Sequence, residues 1–456
     1  MATSVTRRLA EWIVGARYED IPEPGPERVQ ERVLDSLGVQ FGGMSVATGK
    51  RLLAWIKAQE AKPECSIVAA GFKTTPSLAT LANAVAGHAL EYDETSTFSG
   101  HPANPITAAM LVLGEKLNVT GRDAILAWMV GWEVVAQTSK ISSGPKGPEL
   151  LTRGWFNQGF QPALGVAALA AKLMKFDVLQ TQMALGNAAA AMAGVMKNRA
   201  SDTKSFIAGN AAMHGVMAAE LVAVGFTANE DIIDGEDGIA RMIGVPGTDP
   251  ERVLVGLGSW DMATNGSTLK RYASCAAGHW SQDALQEILK RRPIAPRTIA
   301  AIDVYLNDLL MPNLPFHSPQ TGLQGKYSIE YDVVAILLDG RAGMYQYTDE
   351  MVRRPEAQAL MKRVTYHPVS GSVGAGRLGS RVVVKLESGE ALEETINVLR
   401  GAPSNPLSWL ELTNKFHECA EAVAPPAQRN RVIELCGRLG QIGTLRELAD
   451  AVRAAP

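Results

Sequence analysis

The feature that most narrows the possible folds is the texture of roughly the first 265 residues, a succession of apolar segments dense in Ala and Gly. Small side chains let helix axes approach closely, and apolar residues recurring every three or four positions mark buried helix faces. Val5, Leu9, Trp12 and Ala16 fall at that spacing and predict an amphipathic first helix. Residues 29–43 predict a second, with its closing glycines as a C-terminal stop. Residues 77–90 follow, then 106–117 opened by Pro105, then a helix through Gln137 begun by a capping box at Thr120-Gly-Arg-Asp123. Residues 162–174, 178–196 and 209–224 continue the pattern. The longest charge-free run, 178–196, holds Gln180, Gln182 and Asn187; it is too polar for a membrane span and suits a buried helix.

After about Arg291 the texture changes. Residues 298–306 alternate as a half-buried strand should, 364–367 and 381–387 are similar, and Ser388-Gly389 predicts a turn before 390–396. Between them, residues 328–338 predict a helix ended by Asp339-Gly340, and three further helices are expected over 406–420, 427–439 and 445–454. At 456 residues the chain is longer than one core usually supports. The expected architecture is mostly α with α+β: a large all-helical domain over 1–268, a smaller α+β lid domain over 269–400, and C-terminal helices over 401–456 returning to the helical domain.

A net charge of -3 and the lack of a dense basic run exclude a nucleic-acid partner. Arg7 and Arg8 precede an apolar run, but Glu11 interrupts it and no small-residue cleavage site follows, so no signal peptide and no membrane partner are expected. Cys65, Cys275, Cys419 and Cys436 lie far apart without C-x-x-C spacing, which suits a cytoplasmic chain.

Chemistry-bearing residues gather in three places. Between Gly87 and Pro105 lie Glu91, Asp93 and Glu94 with Tyr92, Thr95, His88 and His101, where a helix gives way to a Gly/Pro-punctuated loop. His88 lies on the apolar helix and is expected to be a packed core histidine. Lys204 sits in S-D-T-K-S-F-I-A-G-N, just before an expected helix start, where a lysine beside backbone amides suits a carboxylate. Lys270, Arg271, Tyr272, Cys275 and His279 fall within ten residues, a set able to do acid–base work on an anion. There is no P-loop, no dinucleotide fingerprint and no G-x-S-x-G, so no cofactor is expected. The Gly-rich stretch 371–379 has no helix after it and reads as a loop between strands. His88 and His101 are thirteen apart and no metal-ligand spacing occurs, so no metal is expected either.

In these residues the chain resembles the MmgE/PrpD family, which includes 2-methylcitrate dehydratase, cis-aconitate decarboxylase and iminodisuccinate epimerase. The likeness runs through Gly87-His88-Ala89-Leu90-Glu91-Tyr92-Asp93-Glu94-Thr95, His101-Pro102, Gly131-Trp132-Glu133, Lys204 with Gly209-Asn210, Lys270-x-Tyr272-x-x-Cys275-x-x-x-His279, and Gly325-Lys326-Tyr327-Ser328. The resemblance implies a metal-free enzyme, a homodimer, with its active site between a helical domain and a lid. It implies catalytic roles for Asp93, His101, Lys204, Lys270 and His279, and substrate contacts for Glu91, Thr95, Gln161 and Tyr272. Glu91 and Glu94 stand where the family usually has Asp. Gln161, in Gly159-Phe160-Gln161-Pro162-Ala163, stands where the family has His, and an amide is neither acid nor base at neutral pH.

The implied chemistry is proton abstraction α to a carboxylate of a small di- or tricarboxylate, the lysines stabilising the carbanion. A 2-methylcitrate dehydratase-like lyase comes first. Epimerisation or racemisation of a dicarboxylate, cis-aconitate-type decarboxylation, and a catalytically silent binding homologue are the alternatives.

Overall fold

The computed structural model describes residues 3–96, 100–144, 147–148, 150, 153–245, 248–373 and 378–454. The chain divides into two compact units: one of Met1–Ala89, Asp93–Ser267 and Trp409–Pro456, the other of Leu90–Tyr92 and Thr268–Ser408.

The first unit is helical. Helix α1 (Val5–Gly15) starts at Ser4, whose side chain accepts from the Arg7 amide, and buries Val5, Leu9 and Ile13. Helices α2 (Gly25–Ser45), α3 (Ala47–Lys57), α4 (Pro76–Ala89), α5 (Ala103–Leu117) and α6 (Gly121–Ser139) follow. Thr120 and Asp123 form the expected capping box on α6. The glycines expected to stop α2 do not do so, since the helix runs on to Ser45. Gly43 instead marks the crossing of α2 and α4, where a Cβ would stand 1.8 Å from the Ala86 carbonyl oxygen. Only glycine allows that approach.

Helices α7 (Gln161–Leu173), α8 (Val178–Ala189) and α9 (Asp202–Ala223) complete the central layer. The helix expected over 178–196 stops at Ala189, because the backbone beyond it pairs elsewhere: the Ala193 amide donates to the Gly159 carbonyl, and Gly194 takes φ of 137°. Helix α9 begins at Asp202, seven residues before the expected Gly209. It is long and apolar enough to cross a membrane, but 56% of that apolar window is buried inside the protein.

The second unit is α+β. Helix α10 (His279–Arg291) precedes strand β1 (Ile299–Asn307). Helices α11 (Ile329–Asp339) and α12 (Pro355–Met361) carry the chain to β2 (Val364–Val369), which lies parallel to β1. Strand β3 (Ser380–Leu386) pairs antiparallel with β1, and β4 (Ala391–Ile396) pairs antiparallel with β3 across a turn where Gly389 has φ of 87°. The sheet order is β2-β1-β3-β4. Helix α11 is capped as expected, by Ser328 at its start and by Gly340 in the left-handed region at its end. Within the 371–379 stretch, positions 374–377 lie outside the described residues.

The chain then returns to the first unit as α13 (Trp409–Ala420), α14 (Pro426–Gly437) and α15 (Arg446–Ala451). Helix α13 packs on α2, where Lys415 reaches the buried Asp35 at 2.6 Å.

Candidate functional site

In the first unit the end of α4, the start of α5 and the start of α9 converge, and glycines set the convergence. A Cβ on Gly87 would lie 1.9 Å from Asn104 Oδ1, so the last turn of α4 can meet the first turn of α5 only with glycine there. That contact brings the His88 and His101 rings to 5.0 Å between centroids. A Cβ on Gly209 would lie 2.4 Å from Val85 Cγ2, so α9 rests directly on α4 and delivers Lys204, its third residue, to the end of α4.

The result is a chain of polar contacts in a buried setting. His88 Nδ1 lies 2.7 Å from Asp93 Oδ2, and His88 Nε2 lies 2.9 Å from Lys204 Nζ. Asp93 Oδ1 is 3.9 Å from His101 Nδ1. The Phe156 ring stacks on His88 at 6.1 Å and carries the Lys204 ammonium 5.2 Å from its centroid. A cation on an aromatic face gains from the ring quadrupole. His101 is the most open of these groups, with 12% of its side chain exposed.

His101 Nδ1 stands 2.6 Å from the Glu94 carbonyl oxygen. A carbonyl can only accept, so the neutral ring carries its proton on Nδ1 and its lone pair on Nε2. Glu94 itself turns away from that chemistry. Its Oε1 accepts from the Ala103 amide at the start of α5, and burial pushes its carboxyl well above the usual range, opposed by that hydrogen bond. Of the three acids in the loop, then, Asp93 faces the imidazoles and Glu94 caps a helix.

The third acid, Glu91, belongs to the second unit. Its backbone lies at φ of 55°, an unusual region for a non-glycine residue, and is held there by its neighbours. Lys270, fully buried, donates to the Glu91 carbonyl at 2.9 Å and to Oε1 at 3.2 Å, while the Tyr327 hydroxyl donates to Oε2 at 2.7 Å. Lys326 donates to the Leu90 carbonyl and Tyr92 to that of Arg271. The three residues 90–92 are thus tied down by side chains from the other end of the same unit.

Tyr272 and His279 sit together in the second unit with ring centroids 5.1 Å apart. The Tyr272 hydroxyl donates to Asp283 at 2.8 Å, and burial next to that acid raises its phenol well above the ordinary value. Tyr272 is therefore a proton donor in a structural contact. His279 opens α10, its Nε2 3.2 Å from the Ser274 carbonyl. In the first unit Gln161 opens α7, is 1% exposed, and has no hydrogen-bond partner for its Oε1 among the described residues. Thr95 is half-buried.

Of the sequence-predicted residues, Asp93, His101 and Lys204 gather in the first unit, and Glu91, Lys270, Tyr272 and His279 lie in the second. The residue that sequence reasoning underrated is His88. It is buried, as a core histidine would be, but both ring nitrogens have polar partners. Tyr327, Lys326 and Phe156 were also given no role by sequence; only the Lys326-Tyr327 pair lies in a family-like motif. The thirteen-residue gap that argued against a metal is closed in space, since ligand atoms of His88, Asp93 and His101 lie within 4.8 Å of one another and could hold an ion.

The helical unit thus holds a buried carboxylate–imidazole–ammonium chain, and the α+β unit holds a buried acid on a lysine and a tyrosine. The profile of the MmgE/PrpD N-terminal domain matches residues 7–250, and that of the MmgE/PrpD C-terminal domain matches residues 272–439. The chain belongs to the MmgE/PrpD family, a family of lyase-type enzymes. It is similar to a cis-aconitate decarboxylase of Mus musculus, 26% identical over 91% of this chain and 86% of the relative. The Homo sapiens cis-aconitate decarboxylase is 24% identical over 91% and 88%, and a cis-aconitate decarboxylase-like protein of Aspergillus oryzae is 24% identical over 94% and 93%.

Proposed function

We propose that this chain is a lyase for a small di- or tricarboxylate, in which His101 carries a proton to or from a carbon next to a carboxylate and Lys204 meets the substrate's negative charge. The observation that carries the reading is the contact from His101 Nδ1 to the Glu94 carbonyl. It leaves Nε2 as the nitrogen that exchanges a proton, on the most open side chain of a buried cluster. Asp93, on the far side of the same ring, stabilises the imidazolium that forms when the proton is held.

The relatives' names bring decarboxylation ahead of the dehydration that the sequence put first. In that reaction a carbon–carboxylate bond breaks and carbon dioxide leaves. The electron pair delocalises onto a conjugated carboxylate stabilised by a fixed cation, and the carbon takes a proton from His101. In dehydration the same histidine takes the proton and hands it to the β-hydroxyl, which leaves as water while the pair from the broken C–H bond forms the double bond. Epimerisation is the second reading, favoured by Gln161: without an imidazole at that position the proton returns from His101 or Lys204 alone.

The test is turnover of cis-aconitate and 2-methylcitrate by wild type, His101→Asn and Lys204→Met, with carbon dioxide and alkene products followed together. The reading expects loss of the chemical step in His101→Asn and weakened binding in Lys204→Met. Variants that match wild type on a substrate that is turned over would overturn it.

A further inference from the structure

We propose that His88 is a positioning residue of this site, held as the neutral Nδ1–H tautomer so that one imidazole aims both Asp93 and Lys204. The proposal rests on the acid–base reading above and assigns it a part that the sequence reading left to packing. The argument is one of valence. On the Nδ1 side, 2.7 Å away, is a carboxylate oxygen, which only accepts when ionised. On the Nε2 side, 2.9 Å away, is an ammonium, which only donates. One arrangement satisfies both ions: Nδ1–H donates to Asp93 and Lys204 donates to the Nε2 lone pair. The opposite tautomer sets a lone pair against the carboxylate and an N–H against the ammonium. The imidazolium form sets two cations face to face.

The faces of the His88 ring meet Phe156, which is apolar, and His101, whose Nδ1 lies at the Glu94 carbonyl. His88 is 1% exposed, so its ring is shielded from bulk solvent. Its backbone is fixed by the α4–α5 contact at Gly87 and its ammonium partner by the α4–α9 contact at Gly209. His88 therefore joins the group that faces His101 to the group that meets substrate charge, without touching substrate itself.

The two halves of the proposal are separable, because an amide can replace either nitrogen. His88→Asn places an N–H near Nδ1 and lacks an acceptor for Lys204; His88→Gln reaches the Nε2 position with its oxygen and lacks the donor to Asp93. In His88→Asn, KM rises about tenfold or more, the loss of one charge-assisted hydrogen bond, with kcat near wild type. In His88→Gln, kcat falls while KM stays near wild type, because Asp93 has lost the donor that holds it beside His101. A merely structural role predicts the same losses in kcat and KM for both variants, and that result overturns the proposal.

A second measurement needs neither a substrate nor a stable variant. Long-range proton–nitrogen correlation on ¹⁵N-histidine wild-type protein near neutral pH reads each ring's tautomer directly. With seven histidines in the chain, the His88 signal is identified by its loss in the better folded of the two variants. A pyrrole-like Nδ1 with a pyridine-like Nε2 supports the proposal; a protonated Nε2, or an imidazolium, overturns it. If wild type turns over no polycarboxylate, the reaction assignment fails while the tautomer still decides this inference.

Discussion

The crossing of α2 and α4 gives the sharpest link between sequence, packing and activity. In Gly43→Ala the new Cβ would stand 1.8 Å from the Ala86 carbonyl oxygen and 2.8 Å from the Ala86 Cα, both backbone atoms that no rotamer change can move. Restoring even a 3.0 Å contact to the oxygen parts the two helices by about 1.2 Å. Overpacking of this kind costs about 1–3 kcal/mol. The larger effect falls on the site, because Ala86 lies two residues before His88 in the last turns of α4. A misplacement near 1 Å in a positioned acid–base group costs about 100-fold in rate. The assay pairs thermal denaturation with steady-state turnover, using Gly15→Ala as control, since a Cβ there meets nothing within 4 Å. Gly43→Ala should melt lower and lose turnover far beyond its loss of folded protein, while Gly15→Ala matches wild type. A Gly43→Ala protein with wild-type melting and wild-type rate would refute the reasoning that glycine sets this crossing.

Three further outcomes follow from buried groups. Lys415→Met leaves Asp35 charged and unpaired in the core, a loss of about 3–5 kcal/mol measured by urea denaturation. Burial already lifts the Asp35 carboxyl above its usual range with Lys415 opposing; removing the lysine lifts it further, so the deficit is largest at alkaline pH and shrinks as pH falls and the carboxylate takes up a proton. Glu94→Gln keeps the oxygen that accepts from Ala103 and removes an acid whose folded-state pKa is raised. A raised acid loses stability as pH rises, so this variant should gain on wild type between acidic and alkaline pH, and a constant difference across that range would contradict the assignment. Among the described residues Cys65, Cys275, Cys419 and Cys436 form no disulfide; all but Cys275 are buried, and burial pushes Cys65 up to about 12. An aromatic disulfide reagent should therefore find at most one reactive thiol in the folded protein and four after denaturation.

Element types are legible in this sequence because the apolar periodicity changes from helical to alternating near residue 291 and turn residues mark the ends. Ser388-Gly389 and Asp339-Gly340 fall where the left-handed backbone at Gly389 and Gly340 requires them. What periodicity cannot tell is which glycines end helices and which let helices touch. Gly43 was read as a stop and is a crossing, and the α9 start was read at Gly209, which is likewise a crossing. The same ambiguity hid His88: on an apolar helix its spacing is that of a core residue, and only the fold-back of the loop after α4 and the approach of α9 supply Asp93 and Lys204 as partners. Glu91 and Asp93 are two apart in sequence yet belong to different units, a division that no local pattern announces. The fold is thus written in patterns of local spacing, and the site in contacts at glycines.

The central claim is proton movement at a carbon beside a carboxylate, and the most direct measurement is proton NMR of the wild-type enzyme in deuterium oxide with cis-aconitate, 2-methylcitrate, citrate, malate and iminodisuccinate in turn. The account predicts turnover of at least one of them: decarboxylation releases carbon dioxide and leaves deuterium in the product at the carbon next to a carboxylate, and dehydration forms a new alkene from the α-proton lost. Deuterium entering an otherwise unchanged substrate would keep the proton chemistry and select epimerisation. Folded enzyme that neither exchanges deuterium nor forms product with any of the five would contradict the account.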